Sequence, residues 1–310
     1  MRRGWVQRGG SLAALSLFMA CGNGESIPSV QLSSTQGESA VSAGSAAPLR
    51  FALSSISSPR KNLSDYEEIM RYIGRKLGRP VELVQRETYA EVLALIERRA
   101  VDAALVCSGP YVEGHDKFGA EILAAPLVLG KSTYHACVIV HRDSPCRSLS
   151  DLRGRSFALT DPLSTSGSIF PVAAVRRLGM SPDRFFSKII YTHGHDNSIR
   201  AVAERLVDGA AVHQAVLEGL AMDAPALAAK VRVVDRSPEF GIHPLVVHPA
   251  LDPELKSLLR EAFLAMADDP EGRRLLRLAR IEQFVLQPDS AYDSVRAMRG
   301  ESRKSAARAR

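Results

Sequence analysis

The sequence predicts an α/β protein built as two lobes, and three observations predict it. Short apolar runs of strand length alternate with stretches of helical periodicity from residue 49 onward. The alternation comes as two series of the same kind, joined by extended segments. The polar clusters fall directly after the apolar runs, where an open α/β sheet presents ligands to helix starts. The length of 310 residues exceeds what one hydrophobic core usually organises, and fits two lobes or one large α/β domain.

In the first series, 49–53 is a short apolar strand and 66–77 repeats apolar groups at helical spacing. Residues 81–84 form the next strand, 89–98 a helix and 103–106 a buried strand, which makes two βαβ crossovers and a largely parallel sheet. A β-rich run over 134–140 leads to the second series: strand 156–160, helix 169–178, strand 188–191, helix 197–207, then strands 210–212 and 231–235. A late strand, 245–247, precedes helices over 253–267 and 271–279, which fold back on the first lobe. The expected division is 49–138 with 244–300 for the first lobe and 139–243 for the second, with 301–310 a disordered basic tail.

The N-terminus speaks for export. Arg2, Arg3 and Arg8 precede an apolar run over 12–20, the order of a secretory signal, and the run is too short for the ~20 residues that span a bilayer. The stretch Leu17-Phe18-Met19-Ala20-Cys21-Gly22 resembles the lipobox of bacterial lipoproteins, with Phe18 where leucine is usual. It predicts lipidation at Cys21 after a signal over 1–21, against the alternative of plain cleavage and a soluble exported product. Residues 22–48 are rich in Ser, Gly, Ala and Gln and carry too few large apolar groups to order themselves, so they read as a flexible tether.

Charge argues against nucleic acid. The formal charge is +6, yet without residues 1–48 and 301–310 the body holds 33 basic against 31 acidic residues, in no basic cluster. With Cys21 used for the anchor, Cys107, Cys137 and Cys146 are left, so at least one thiol is free and one bridge is open to the others. No CxxC or Cys/His spacing suggests a metal, and no cofactor is implied.

Three constellations could carry chemistry. Asp161-Pro162-Leu163-Ser164-Thr165-Ser166-Gly167-Ser168 stands between a strand and a helix, where unpaired amides, the positive end of the helix dipole and several hydroxyls can hold an oxyanion. Gly167 would let backbone approach a ligand. The plainer account is a Ser/Thr helix cap, but four hydroxyls in five residues exceed what capping requires. Tyr191-Thr192-His193-Gly194-His195-Asp196-Asn197 is again strand, polar turn and helix, with an imidazole able to donate to an anion and Asp196 or Asn197 as the cap. In the first half, Ser54, Ser55, Ser57 and Ser58 follow a strand, Tyr89 opens a helix, and Cys107, Ser108 and Tyr111 follow another strand. Tyr134 sits where the chain leaves the first lobe. GxSxG, P-loop and HExxH sequences do not occur, which points to a binder rather than an enzyme.

Asp161-Pro162-Leu163-Ser164-Thr165-Ser166-Gly167, Gly194-His195-Asp196, the run Tyr134-His135-Ala136-Cys137-Val138-Ile139-Val140 and the closing Ala279-Arg280-Ile281-Glu282-Gln283-Phe284 resemble the phosphate/phosphite/phosphonate solute-binding family of ABC transporters. The likeness covers about residues 49–298. It implies the type II periplasmic-binding fold, with a hinge of two crossover segments and closure over a small oxyanion. Carried over by position, the ligand would be held by Ser164, Thr165, Ser166, His195, Tyr89 and Tyr134, with Ser55, Cys107, Ser108 and His213 as further candidates. The expected partners are that oxyanion and an ABC permease, with a monomeric protein meeting the membrane through its lipid anchor only. Members that bind an aminoalkylphosphonate place carboxylates near the ammonium, whereas 212–215 and 241–244 here supply His213 and His243 and no acid, which disfavours 2-aminoethylphosphonate. Cys107 raises a rival: related binding proteins of arsenite-sensing systems use a cysteine in this loop and act with a histidine kinase, and trivalent arsenic favours thiolate.

Overall fold

The computed structural model describes residues 47–54, 56 and 59–308. The export signal, Cys21, Ser55 and nearly all of the tether lie outside the described residues. Among the described residues no helix is long and apolar enough to cross a membrane.

Thirteen strands appear among them in chain order: β1 (Leu49–Leu53), β2 (Val81–Gln85), β3 (Ala103–Leu105), β4 (Glu121–Leu127), β5 (Thr133–Tyr134), β6 (Ala136–His141), β7 (Ser156–Leu159), β8 (Lys188–Tyr191), β9 (Gly209–His213), β10 (Val231–Arg236), β11 (Phe240–Gly241), β12 (Leu245–Val247) and β13 (Gln283–Val285). They make two large sheets. One runs β13-β4-β12-β3-β1-β2, the other β10-β6-β9-β7-β8. The chain passes between them twice, and the two crossings pair antiparallel as β5 with β11, Phe240 opposite Tyr134. The molecule is therefore two-lobed with a hinge of two crossover segments.

The expected largely parallel sheets are half right. In each lobe three strands are parallel, β2-β1-β3 in the first and β8-β7-β9 in the second. The strands that enter from the hinge side, β12 and β6, run antiparallel to their neighbours, as do β4, β10 and β13 against theirs. A strand delivered by a crossing reaches the sheet from its carboxyl edge and has to run backwards. The boundary expected at 138/139 falls inside β6, because the crossing is complete by Ala136.

Strands β8 and β12 coincide with the apolar runs that predict them. Strand β4 is hidden in sequence by Ala124, Ala125 and Pro126, and proline is read as a strand breaker. Here Pro126 lies opposite Phe284 of β13 near the sheet edge. The helix Ser108–Phe118 opens on Ser-Gly-Pro and contains Gly114, all turn signals, so local sequence conceals it. Helices Pro253–Leu264 and Pro270–Leu278 begin at Asp252 and Asp269, whose carboxylates accept from the amides of Leu255 and of Glu271 and Gly272. The first of them covers the first sheet through Phe263, which meets Phe51 and Phe284 edge-on.

The last helix runs Asp293–Arg308, so residues 301–308 continue it where a disordered tail was expected. It touches both lobes. Val295 and Met298 are buried in one apolar cluster with Phe170 and Phe240, while Arg299 donates to the Gly109 carbonyl at 2.8 Å and pairs with Glu113.

Candidate functional site

The carboxyl ends of the parallel strands of both sheets deliver the polar residues to one place. From the first lobe come Tyr89, the first residue of the helix Tyr89–Glu97 after β2, and Cys107 and Ser108 after β3. The second lobe contributes Ser164, Thr165 and Ser166 after β7, His195 after β8 and His213 at the end of β9. Tyr134 arrives on the first crossing. All nine are buried, and hydrogen bonds or sulfur contacts link them into a niche.

The hydroxyl turn caps its helix and also turns hydroxyls toward the cleft. Ser164 Oγ accepts from the Gly167 amide at 3.1 Å, so the plain capping account applies to one of its lone pairs. The turn Thr165–Ile169 is wound as one π-type turn before the helix Phe170–Arg177, and this wider winding turns Ser164 and Ser166 toward the same imidazole. His195 Nε2 lies 3.5 Å from Ser164 Oγ and 3.4 Å from Ser166 Oγ. His195 Nδ1 accepts from the His213 amide at 3.3 Å and stands 3.1 Å from Thr160 Oγ1, which leaves the ring proton on Nε2, facing the hydroxyls. The Tyr89 hydroxyl bonds Ser164. Tyr134 Oη is 3.4 Å from Ser108 Oγ and also bonds Thr165, and Cys107 Sγ sits between the two, 4.0 Å from Tyr134 Oη and 3.8 Å from Thr165 Oγ1.

Electrically the niche is neutral donors with one carboxylate at its edge. Burial holds His195 down to about 3, with His243 adding to the shift, and pushes His213 well below the usual histidine range, so both rings are uncharged. Burial likewise keeps the phenols of Tyr89 and Tyr134 protonated. Such an array suits an anion whose charge is spread over several oxygens, since each oxygen can meet an O–H or N–H donor without a buried cation.

The lobes touch at this site. Asp161 Oδ2 accepts from the Tyr89 amide at 3.1 Å across the cleft, while Oδ1 takes the Leu163 amide at 2.8 Å. Burial raises the Asp161 carboxyl and these two amides oppose the rise. The His195 amide donates to the Ile56 carbonyl at 3.2 Å, a second bond between lobes. At Gly109 an added Cβ would run into the Leu163 carbonyl, so closure needs a residue without a side chain there.

Several expectations require correction. The missing Cβ of Gly167 makes room for Thr160, not for a ligand. The helix after β8 spans His195–Ala203 and begins two residues before the expected 197, with Gly194 at its cap; neither Asp196 nor Asn197 caps it, and Asn197 donates to the Thr192 carbonyl instead. The pairing of the thiols, which the sequence leaves open, is also answered: Cys107, Cys137 and Cys146 are all free and buried. Asp161, which the sequence offers only as part of a motif, and Gly109, which it does not single out, both join the site; the visible signal is their position after strands.

A groove of about 560 Å³ opens beside the niche, between the lobes, and His213 borders both. His213 stacks flat on Tyr134, centroids 3.9 Å apart, and stands 6.0 Å from His195 on one side and 5.7 Å from His243 on the other. Acids do line this groove. Glu218 and Asp223, on the helix Gln214–Asp223, lie just beyond the acid-free stretch 212–215.

Two α/β lobes closing on a niche of neutral donors at their strand ends define a solute-binding protein. The chain matches the family described as the ABC transporter, phosphonate, periplasmic substrate-binding protein over residues 51–292, and it belongs to that family. It is 26% identical to the phosphonates-binding periplasmic protein of Escherichia coli over 236 residues, 74% of this chain and 69% of that one. It is 25% identical to the phosphate-import protein PhnD of Mycolicibacterium smegmatis, over 66% of this chain and 68% of that one. Among solved structures, a binding protein component of an ABC phosphonate transporter from Pseudomonas aeruginosa superposes with a TM-score of 0.78 at 25% identity, covering 84% of this chain and 88% of its own. The chain is thus an exported binding component that serves a membrane permease, and not an enzyme.

Proposed function

We propose that the chain captures a tetrahedral phosphoryl oxyanion, a phosphonate, phosphite or phosphate, in the niche between its lobes and presents it to the permease. One observation carries this: Ser164, Ser166 and His195 of one lobe meet Tyr89 of the other around a common point, with no lysine or arginine among them. Relatives named for phosphonate and for phosphate support the phosphoryl class. Calorimetric titration with phosphite, methylphosphonate, phosphate, arsenate and arsenite tests it. Binding of at least one phosphorus oxyanion is expected, and binding of none overturns it.

The arsenite reading has a specific observation in its favour, the Cys107 thiol within the niche. Against it, a soft trivalent centre is best served by several thiolates. The other two described cysteines are engaged elsewhere, Cys137 with Arg236 and Cys146 with the Asp151 carbonyl. Arsenite binding that disappears in Cys107→Ser would restore that reading and, with it, a sensory role beside a histidine kinase. The lipid anchor at Cys21 belongs to the same proposal and is tested by labelled-palmitate incorporation, which Cys21→Ser should abolish.

A further inference from the structure

We propose that the groove beside His213 and His243 receives a carbon-rich, amine-free substituent on the phosphoryl ligand, so that the protein favours organophosphonates or phosphate monoesters over the bare oxyanion. This rests on the phosphoryl reading above. Size is the first argument. A groove of about 560 Å³ falls within the roughly 300–1,000 Å³ of sites that bury whole organic ligands, far beyond what a bare oxyanion fills.

The wall chemistry is the second argument. Ile56 and Val128 from the first half, Val216 and Leu220 from the helix Gln214–Asp223, and Ile281 from the closing segment give it a largely hydrocarbon surface. Four acids line it, Asp196, Glu218, Asp223 and Glu282, and the last three are engaged by named protein groups. Asp223 pairs with Arg280, Glu218 accepts from Gln214 at 2.7 Å, and Glu282 accepts from the Gly130 amide at 2.9 Å. An ammonium group beside any of these three would have to displace its partner.

The third argument is an unanswered donor. His213 Nδ1 accepts from the Ala215 amide at 3.1 Å, which puts the proton on Nε2, and no described protein group bonds that atom although it is buried. His243 Nδ1 is likewise buried without a described partner, while its Nε2 lies 3.3 Å from Tyr66 Oη. Buried polar atoms of this kind usually have partners, and both rings line the groove. The His213 donor sits where niche and groove meet, so it faces an oxygen at the junction of head and tail and would oppose an ammonium.

Titrations of the chain with phosphate, methylphosphonate, 2-aminoethylphosphonate, phenylphosphonate and phenyl phosphate test this. Phenylphosphonate or phenyl phosphate should bind about tenfold or more tighter than methylphosphonate, from the added apolar burial, and 2-aminoethylphosphonate more weakly than methylphosphonate. Which phenyl compound is preferred separates a C–P ligand from an ester. Leu220→Trp fills the groove from the helix side and should cut the phenyl advantage below about threefold; because the readout is a ratio of two ligands on one protein, a general loss of binding does not imitate it. Methylphosphonate or phosphate bound as tightly as the phenyl compounds, a preference for the amine, or an advantage intact in Leu220→Trp would each overturn the inference and leave the phosphoryl reading standing. Failure of every compound to bind would instead remove that reading, and the inference with it.

Discussion

The niche and the groove lie side by side along one row of histidines, yet they are made of opposite materials. In the niche nearly every lining group is a hydroxyl or imidazole fixed by another: Ser164 by the Gly167 amide, His195 by the His213 amide, Ser108 by the Gly241 carbonyl at 2.7 Å. In the groove the surface is mostly hydrocarbon, and the charges along it include the Asp223–Arg280 pair. The difference teaches how one cleft can be strict and permissive at once. Preset donors discriminate the head, because a mismatched group leaves buried polar atoms unpaired, whereas an apolar wall discriminates tails only by size.

The largest effect expected on this contrast is at Gly109. Gly109→Val places side-chain carbons against the Leu163 carbonyl and should hold the lobes apart, costing about 100-fold or more in affinity for any phosphoryl ligand. Titration beside a thermal melt checks it; affinity within threefold of the parent would mean that the niche binds without closure. Next come the hydroxyls. Ser164→Ala or Thr165→Val should each weaken binding by about 1.5–3 kcal/mol, the worth of a hydrogen bond to a charged group, without unfolding the protein. Unchanged affinity in both would move the head out of the niche.

Acid stability probes the histidine row that joins the two regions. His195 and His243 are held by burial to about 3 and about 4, below their unfolded value of ~6.5. The unfolded chain therefore takes up protons that the folded one refuses. Stability should be full above pH ~6.5 and fall by about 1.4 kcal/mol per pH unit per ring toward pH 4. Chemical denaturation at several pH values should show a shallower slope in His243→Gln, and an identical slope would place that ring in water. The smallest effect belongs to the rim of the groove. Asp223→Asn breaks an exposed pair between the lobes and should cost at most about 1 kcal/mol in binding, less at high salt.

These regions were not equally legible. The niche could be read because its parts are local: four hydroxyls lie within Ser164–Ser168, and each polar cluster directly follows an apolar run. Strand ends converge by topology, so residues far apart in sequence met where the βα alternation said they should. The π-type turn, the early helix start at His195 and the packing of Gly167 on Thr160 depend on contacts that no local pattern encodes. The groove was invisible for the same reason. Ile56, Val128, Val216 and Ile281 come from four unrelated stretches, and only closure of the lobes makes them one wall.

The central claim is that a phosphoryl head sits among uncharged donors shared by both lobes. A crystal structure of the chain with methylphosphonate tests it most directly. The account predicts phosphoryl oxygens at hydrogen-bond distance, about 2.5–3.2 Å, from Ser164, Ser166, Thr165, His195 and Tyr89. A phosphorus atom bound instead to exposed arginines such as Arg200 or Arg277, with the niche making no contact, would contradict it.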